Sequence, residues 1–105
     1  MNSSGDRIAA LERMLQARPE DARLRFGLAV EFEKAGRVED AVRELGAYLE
    51  RTEDQGNAWG RLGALLRRLG RDEEARAAYR RGIEQALKHG HPSMAAELEA
   101  TLAEG

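Results

Sequence analysis

The sequence has no cysteine, which removes a disulfide scaffold, a thiolate metal site and a cysteine nucleophile together. It has two prolines in 105 residues and only 5% aromatics, so little interrupts a helix and little favours a sheet. No run of 18 apolar residues occurs, and a membrane-spanning helix is not expected. The opening Met-Asn-Ser-Ser-Gly-Asp-Arg lacks an apolar signal core, which predicts a cytoplasmic protein. An excess of one charge is also missing: 17 basic against 19 acidic side chains leave −2, no polycation suited to nucleic acid or an anionic membrane. What is abundant is Ala (18), Arg (15), Glu (14) and Leu (13), all good helix formers and together more than half the chain. The length fits one small all-α domain.

Self-comparison shows a repeat. Shifting the chain by 34 residues lays Leu28 on Leu62, Gly36 on Gly70, Arg37 on Arg71, Glu39 on Glu73, Ala41 on Ala75 and Glu50 on Glu84. Within each unit the apolar spacing is helical: Leu24, Leu28, Phe32 in one, Leu62, Leu66, Leu69 in the other. Gly36 and Gly70 interrupt both patterns at the same place, where a left-handed residue closes a helix. A second amphipathic run follows each, opened by Glu39-Asp40 or Asp72-Glu73-Glu74 at the positive end of the helix dipole. Each unit therefore reads as a helix, a glycine turn and an antiparallel helix. Ala29 and Gly63 are expected to face Ala41 and Ala75, keeping the paired backbones close.

These residues resemble the tetratricopeptide repeat family. The second unit carries the pattern Trp59-x-x-Leu62-Gly63-x-x-Leu66, then Gly70, Ala75, Tyr79 and Gly82. The first is weaker, with Arg25 in place of the Trp and Tyr48 in place of a small residue. The resemblance implies a right-handed superhelix of antiparallel helix pairs, about six helices in all. The expected layout is a disordered lead-in over 1–5 and a single domain over 6–105. Within it fall an N-terminal helix at 6–18, repeats at 22–55 and 56–89, and a capping helix at 93–103. Gly90 ends the preceding helix, and Pro92 suits the first turn of the cap.

No catalytic constellation is found. Ser3, Ser4 and Ser93 have no base and orienting group suggested for them, and no glycine-rich phosphate loop precedes a helix. His89 and His91, two apart in a turn, have no further ligand cluster, so neither a metal nor a cofactor is expected. The chain reads as a non-enzyme. In the resembled family, first helices of successive repeats line a concave groove that holds peptides or helices. Carried onto this chain, the groove positions are Arg23, Phe26, Val30, Glu33 and Lys34, then Asn57, Gly60, Arg61, Ala64, Arg67 and Arg68. Phe26 and Val30 share one helix face, rotated from the core stripe, and could anchor an apolar side chain unless the N-terminal helix covers them. Some family members clamp a chaperone's C-terminal carboxylate with Lys and Asn; Phe26, Val30 and Arg61 stand at the matching positions, so that clamp is absent.

Between residues 61 and 81, seven arginines face three acids, Asp72, Glu73 and Glu74, a local balance of +4. Guanidinium forks suit a partner with acidic groups. The expected function is a protein–protein interaction module holding a peptide or helix of an unidentified partner protein in the groove. The alternative is a self-associating structural subunit, a homodimer without a separate ligand. Nucleic acid and membrane are not expected partners.

Overall fold

The computed structural model describes residues 3–104, and every described element is helical: α1 (Ser3–Ala17), α2 (Ala22–Lys34), α3 (Val38–Arg51), α4 (Asn57–Arg68), α5 (Asp72–Lys88) and α6 (Pro92–Glu104). The chain divides into two compact units, residues 1–52 and 53–105. Each is a three-helix assembly. Within the stretch 1–5 expected as a lead-in, α1 already begins at Ser3, with Asp6 in its first turn at the positive dipole end. Met1 and Asn2 lie outside the described residues.

In the first unit α2 and α3 form an antiparallel hairpin, and α1 packs on α2. Its core is Ile8 of α1, Leu28, Ala29 and Phe32 of α2, and Ala41 and Leu45 of α3, all buried. Fully burying a Leu or Phe contributes about 1.5–3 kcal/mol each, so this small set dominates the unit's stability. In the second unit α4 and α5 form the hairpin and α6 packs on α5, reaching α4 at Gly60 and Arg67. Ala58, Leu62, Leu65 and Leu66 meet Ala75, Ala78, Tyr79 and Ala86, with Ala95 inserted from α6.

The repeated Gly-Arg is explained by how the helices end. Gly36, Gly70 and Gly90 have φ of 78°, 75° and 76°. In each case the next residue's N–H reaches back five: Arg37 to the Phe32 carbonyl (2.9 Å), Arg71 to Leu66 (2.9 Å) and His91 to Ala86 (2.7 Å). This closes three helices with the same left-handed motif and satisfies carbonyls that would otherwise be orphaned. The arginine then turns to the acid three residues on, Arg37 Nε to Asp40 Oδ2 at 2.8 Å and Arg71 Nη2 to Glu74 Oε2 at 2.7 Å. Both hairpin turns are thus built alike.

Helix starts are less regular. Asp21 caps α2, its Oδ1 accepting from the N–H of Arg23 (3.0 Å) and Leu24 (3.3 Å). Before α4 the cap is Asp54, whose Oδ2 accepts from the N–H of Gly56 (2.8 Å) and Ala58 (2.9 Å).

Candidate partner-binding site

The face of α2 named by the family pattern is half apolar and half charged. Arg23 and Lys34 are exposed at its two ends, and Phe26 and Val30 are half-buried between them. Phe26 packs against Tyr48 of α3, ring centroids 5.1 Å apart and planes at 54°. That contact accounts for the large residue at position 48. Lys34 Nζ lies 3.6 Å from Glu31 Oε2, and Arg7 of α1 reaches Glu31 Oε1 at 3.7 Å. The ridge that α1 covers runs through Gly27, opposite Leu11, and Glu31, one step round the helix from Phe26 and Val30.

Arg25 takes the place of Trp59 and is held by polar contacts. Its Nη1 pairs with Glu44 Oε1 at 3.1 Å and its Nη2 donates to the Pro19 carbonyl at 3.1 Å. Arg43 Nε adds a third contact, 3.3 Å from Glu44 Oε2. In the second unit the corresponding pair is Trp59 and Ala78. Trp59 is half-buried and carries the Arg81 guanidinium 5.2 Å above its ring. An open cleft of about 270 Å³ lies there between α4 and α5, floored by Trp59, Leu62 and Leu66. The first unit has a more polar cleft of about 400 Å³, lined by Glu12, Leu15, Gln16, Leu28 and Glu44.

On α4, Asn57, Ala64 and Arg68 are exposed while Arg61 and Arg67 are half-buried. Two positions named as groove are taken up by α6, which sequence reasoning treated only as a cap. A Cβ on Gly60 would stand 2.7 Å from Leu98 Cδ2. Arg67 donates from Nη2 to the Thr101 carbonyl at 3.1 Å and lies 5.1 Å over the Tyr79 ring. Gly63 meets the Tyr79 ring, at 2.9 Å from its Cβ position, one turn along α5 from Ala75. The arginine cluster over 61–81 is correspondingly dispersed: Arg71 pairs with Glu74, and Arg81 with Glu84 at 3.7 Å.

Carboxyl groups moved by their surroundings move downward. Arg43 and then Arg37 hold Asp40 below the usual range, Lys88 does so for Glu53, and Arg71 for Glu74. Such groups stay ionised, the opposite of what a general acid at neutral pH needs. His89 Nε2 lies 3.1 Å from Glu53 Oε2 and His91 Nε2 lies 2.7 Å from Gln55 Oε1. Both tie the α5–α6 turn to the loop before α4. Among the described residues no group of three or more His, Cys, Asp or Glu is placed to hold a metal. No described helix is long and apolar enough to cross a membrane.

The family model of the tetratricopeptide repeat matches residues 2–87, most of the chain. The chain belongs to the tetratricopeptide repeat family. It is 34% identical over 95 residues to a TPR repeat-containing protein of Pseudomonas aeruginosa, covering 90% of this chain and 89% of that one. Among solved structures it is similar to MamA, with a TM-score of 0.72 and 18% identity, covering 97% of this chain and 70% of that one. At that identity the likeness shows the fold alone. A tetratricopeptide repeat fold supports, in general terms, a protein–protein interaction module.

Proposed function

We propose that this tetratricopeptide repeat protein binds peptides or helices of a partner protein on the exposed face of the helix that opens each repeat, α2 in the first unit and α4 in the second, each taken by itself. The observation that carries the reading is on α2. Leu28, Ala29 and Phe32 already fill the core, yet Phe26 and Val30 form a second apolar pair that keeps part of its surface in water, flanked by exposed Arg23 and Lys34. An apolar anchor within a charged rim is the usual anatomy of a binding hot spot. On α4, the exposed Asn57, Ala64 and Arg68 offer small and cationic contacts that suit acidic groups.

The test is affinity capture from lysate of the source organism with wild type and the Val30→Glu/Arg68→Glu variant in parallel. Both positions are away from the fully buried core, so circular dichroism and melting should match wild type. A protein retained by wild type and lost by the folded variant is the expected result. Identical retained sets would contradict the reading.

A second reading, self-association, has one observation in its favour. The exposed large apolar residues Met14 and Leu87 keep 48% and 58% of their surface, and neither belongs to the faces above. Light scattering at tens of micromolar tests it: a doubled mass that falls to the monomer value in Met14→Glu or Leu87→Glu supports a dimer, and a monomeric wild type removes it.

A further inference from the structure

We infer that the open cleft between α4 and α5 seats an arginine side chain from a basic segment of a partner protein. This site is separate from the exposed helix faces proposed above, and its occupant is indicated by the first unit.

The two units are alike here except in what fills them. At a shift of 34 residues Leu28 and Phe32 fall on Leu62 and Leu66, and the turn pair Arg37–Asp40 falls on Arg71–Glu74. In the first unit Asp40 holds a second guanidinium as well. Arg43 Nη1 lies 2.7 Å from its Oδ1 while Arg37 Nε lies 2.8 Å from its Oδ2. Both guanidinium groups stand over the Phe32 ring, Arg43 at 6.0 Å and Arg37 at 4.6 Å from its centroid. The second unit has Ala77 at the place of Arg43 and Ala78 at the place of Glu44. It keeps the acid and the apolar floor but lacks that arginine, and the cleft of about 270 Å³ opens there.

The groups left around the cleft suit the missing side chain. Among the described residues Glu74 pairs with Arg71 alone, receiving Nε on Oε1 at 2.8 Å and Nη2 on Oε2 at 2.7 Å. A carboxylate offers about four lone-pair sites, so a second donor still fits, as Arg43 does on Asp40. Trp59 forms an aromatic wall, and its ring already accepts the Arg81 guanidinium at 5.2 Å. The charge of Arg81 is met in turn by Glu84 at 3.7 Å. Asp72 and Glu73 are exposed and have no ion pair, so the acids at the Glu74 end outnumber Arg71 and favour a cation. An arginine stem covers Leu62 and Leu66 with methylenes, and its planar fork reaches the carboxylate. A phenylalanine would cover the floor and leave Glu74 with no new bond.

Trp59 is the sole tryptophan, so its emission reports on this cleft. The probe is a blocked pentapeptide with one arginine between alanines, titrated into the full chain. Parallel peptides carry citrulline, phenylalanine or glutamate in place of the arginine. The arginine peptide should change Trp59 emission saturably and bind at least about 5-fold tighter than any of the other three. Ala77→Arg supplies the second unit with the arginine of the first and should abolish the response. Glu74→Gln should weaken it at least about 5-fold. Ala77 and Glu74 are exposed, so circular dichroism of both variants should match wild type. A citrulline or phenylalanine peptide that binds as tightly as the arginine peptide overturns the inference, because the cleft is then a slot that does not read charge. So does an undiminished response in Ala77→Arg, or no saturable change up to peptide on the order of ten millimolar. The Val30→Glu/Arg68→Glu chain should bind the probe like wild type, so failure of the face reading and failure of this one are told apart.

Discussion

Arg25 shows how one repeat can depart from its pattern and still fold. Trp59 and Ala78 in the second unit correspond to Arg25 and Glu44 in the first, so a large apolar side chain over a small one becomes an ion pair. The pair is largely sheltered, with side-chain exposures of 15% and 12%. Removing one partner strands the other, so Arg25→Ala should cost about 2 kcal/mol or more in denaturant unfolding. The double change Arg25→Trp/Glu44→Ala, which copies the second unit, should come within about 1 kcal/mol of wild type. A double variant as unstable as the single one would show that the two sites are not equivalent. Glycines give an opposed pair of predictions. Gly63→Ala drives a Cβ into the ring of Tyr79, which is held on α5 beside the Arg67 guanidinium, and overpacking should outweigh the helix-propensity gain by about 1 kcal/mol. Gly46 has nothing within 4 Å of its Cβ position, so Gly46→Ala should stabilise by about 0.5–1 kcal/mol. The sequence made the tight packing at Gly63 legible but not its partner, because helix periodicity fixes a face and not the side chain opposite.

At the scale of elements, helix ends were easier to read than helix starts. Gly36 and Gly70 coincide at a shift of 34 residues, and the same backbone closure follows each. The caps do not coincide. Asp21 and Asp54 are 33 apart, so a strict 34-residue alignment sets Asp21 against Gln55 and hides the aspartate that starts α4. Scanning for an acidic residue just ahead of each apolar run would have found it. Asp54→Ala should destabilise the second unit by about 1 kcal/mol in thermal unfolding, with the larger share of lost protection in the first turn of α4. The α6 helix was legible as an amphipathic segment after Pro92. Its docking on Gly56, Gly60 and Gly82 was not, since those glycines meet residues 94 and 98 only in three dimensions.

For the molecule as a whole, the charge pattern predicts its acid response. Asp40, Glu53 and Glu74 have carboxyl pKa values lowered by Arg43, Lys88 and Arg71, the cations beside them. Their contribution is present in full above the ordinary carboxyl range and is lost as pH falls through it toward the lowered values. Melting temperature should therefore be flat from pH 7 to about 5 and decline below about 4. High salt should shrink the decline, because these pairs are largely solvent-exposed. A melting temperature that rises below pH 4 would contradict the assignment.

The central claim concerns where partners sit: on the exposed face of the helix that opens each repeat, α2 in one unit and α4 in the other. Hydrogen exchange on the full chain, with and without the captured partner, tests it most directly. The account predicts new protection in 23–34 and 57–68. Protection confined to α3 and α5, with α2 and α4 unchanged, would contradict it.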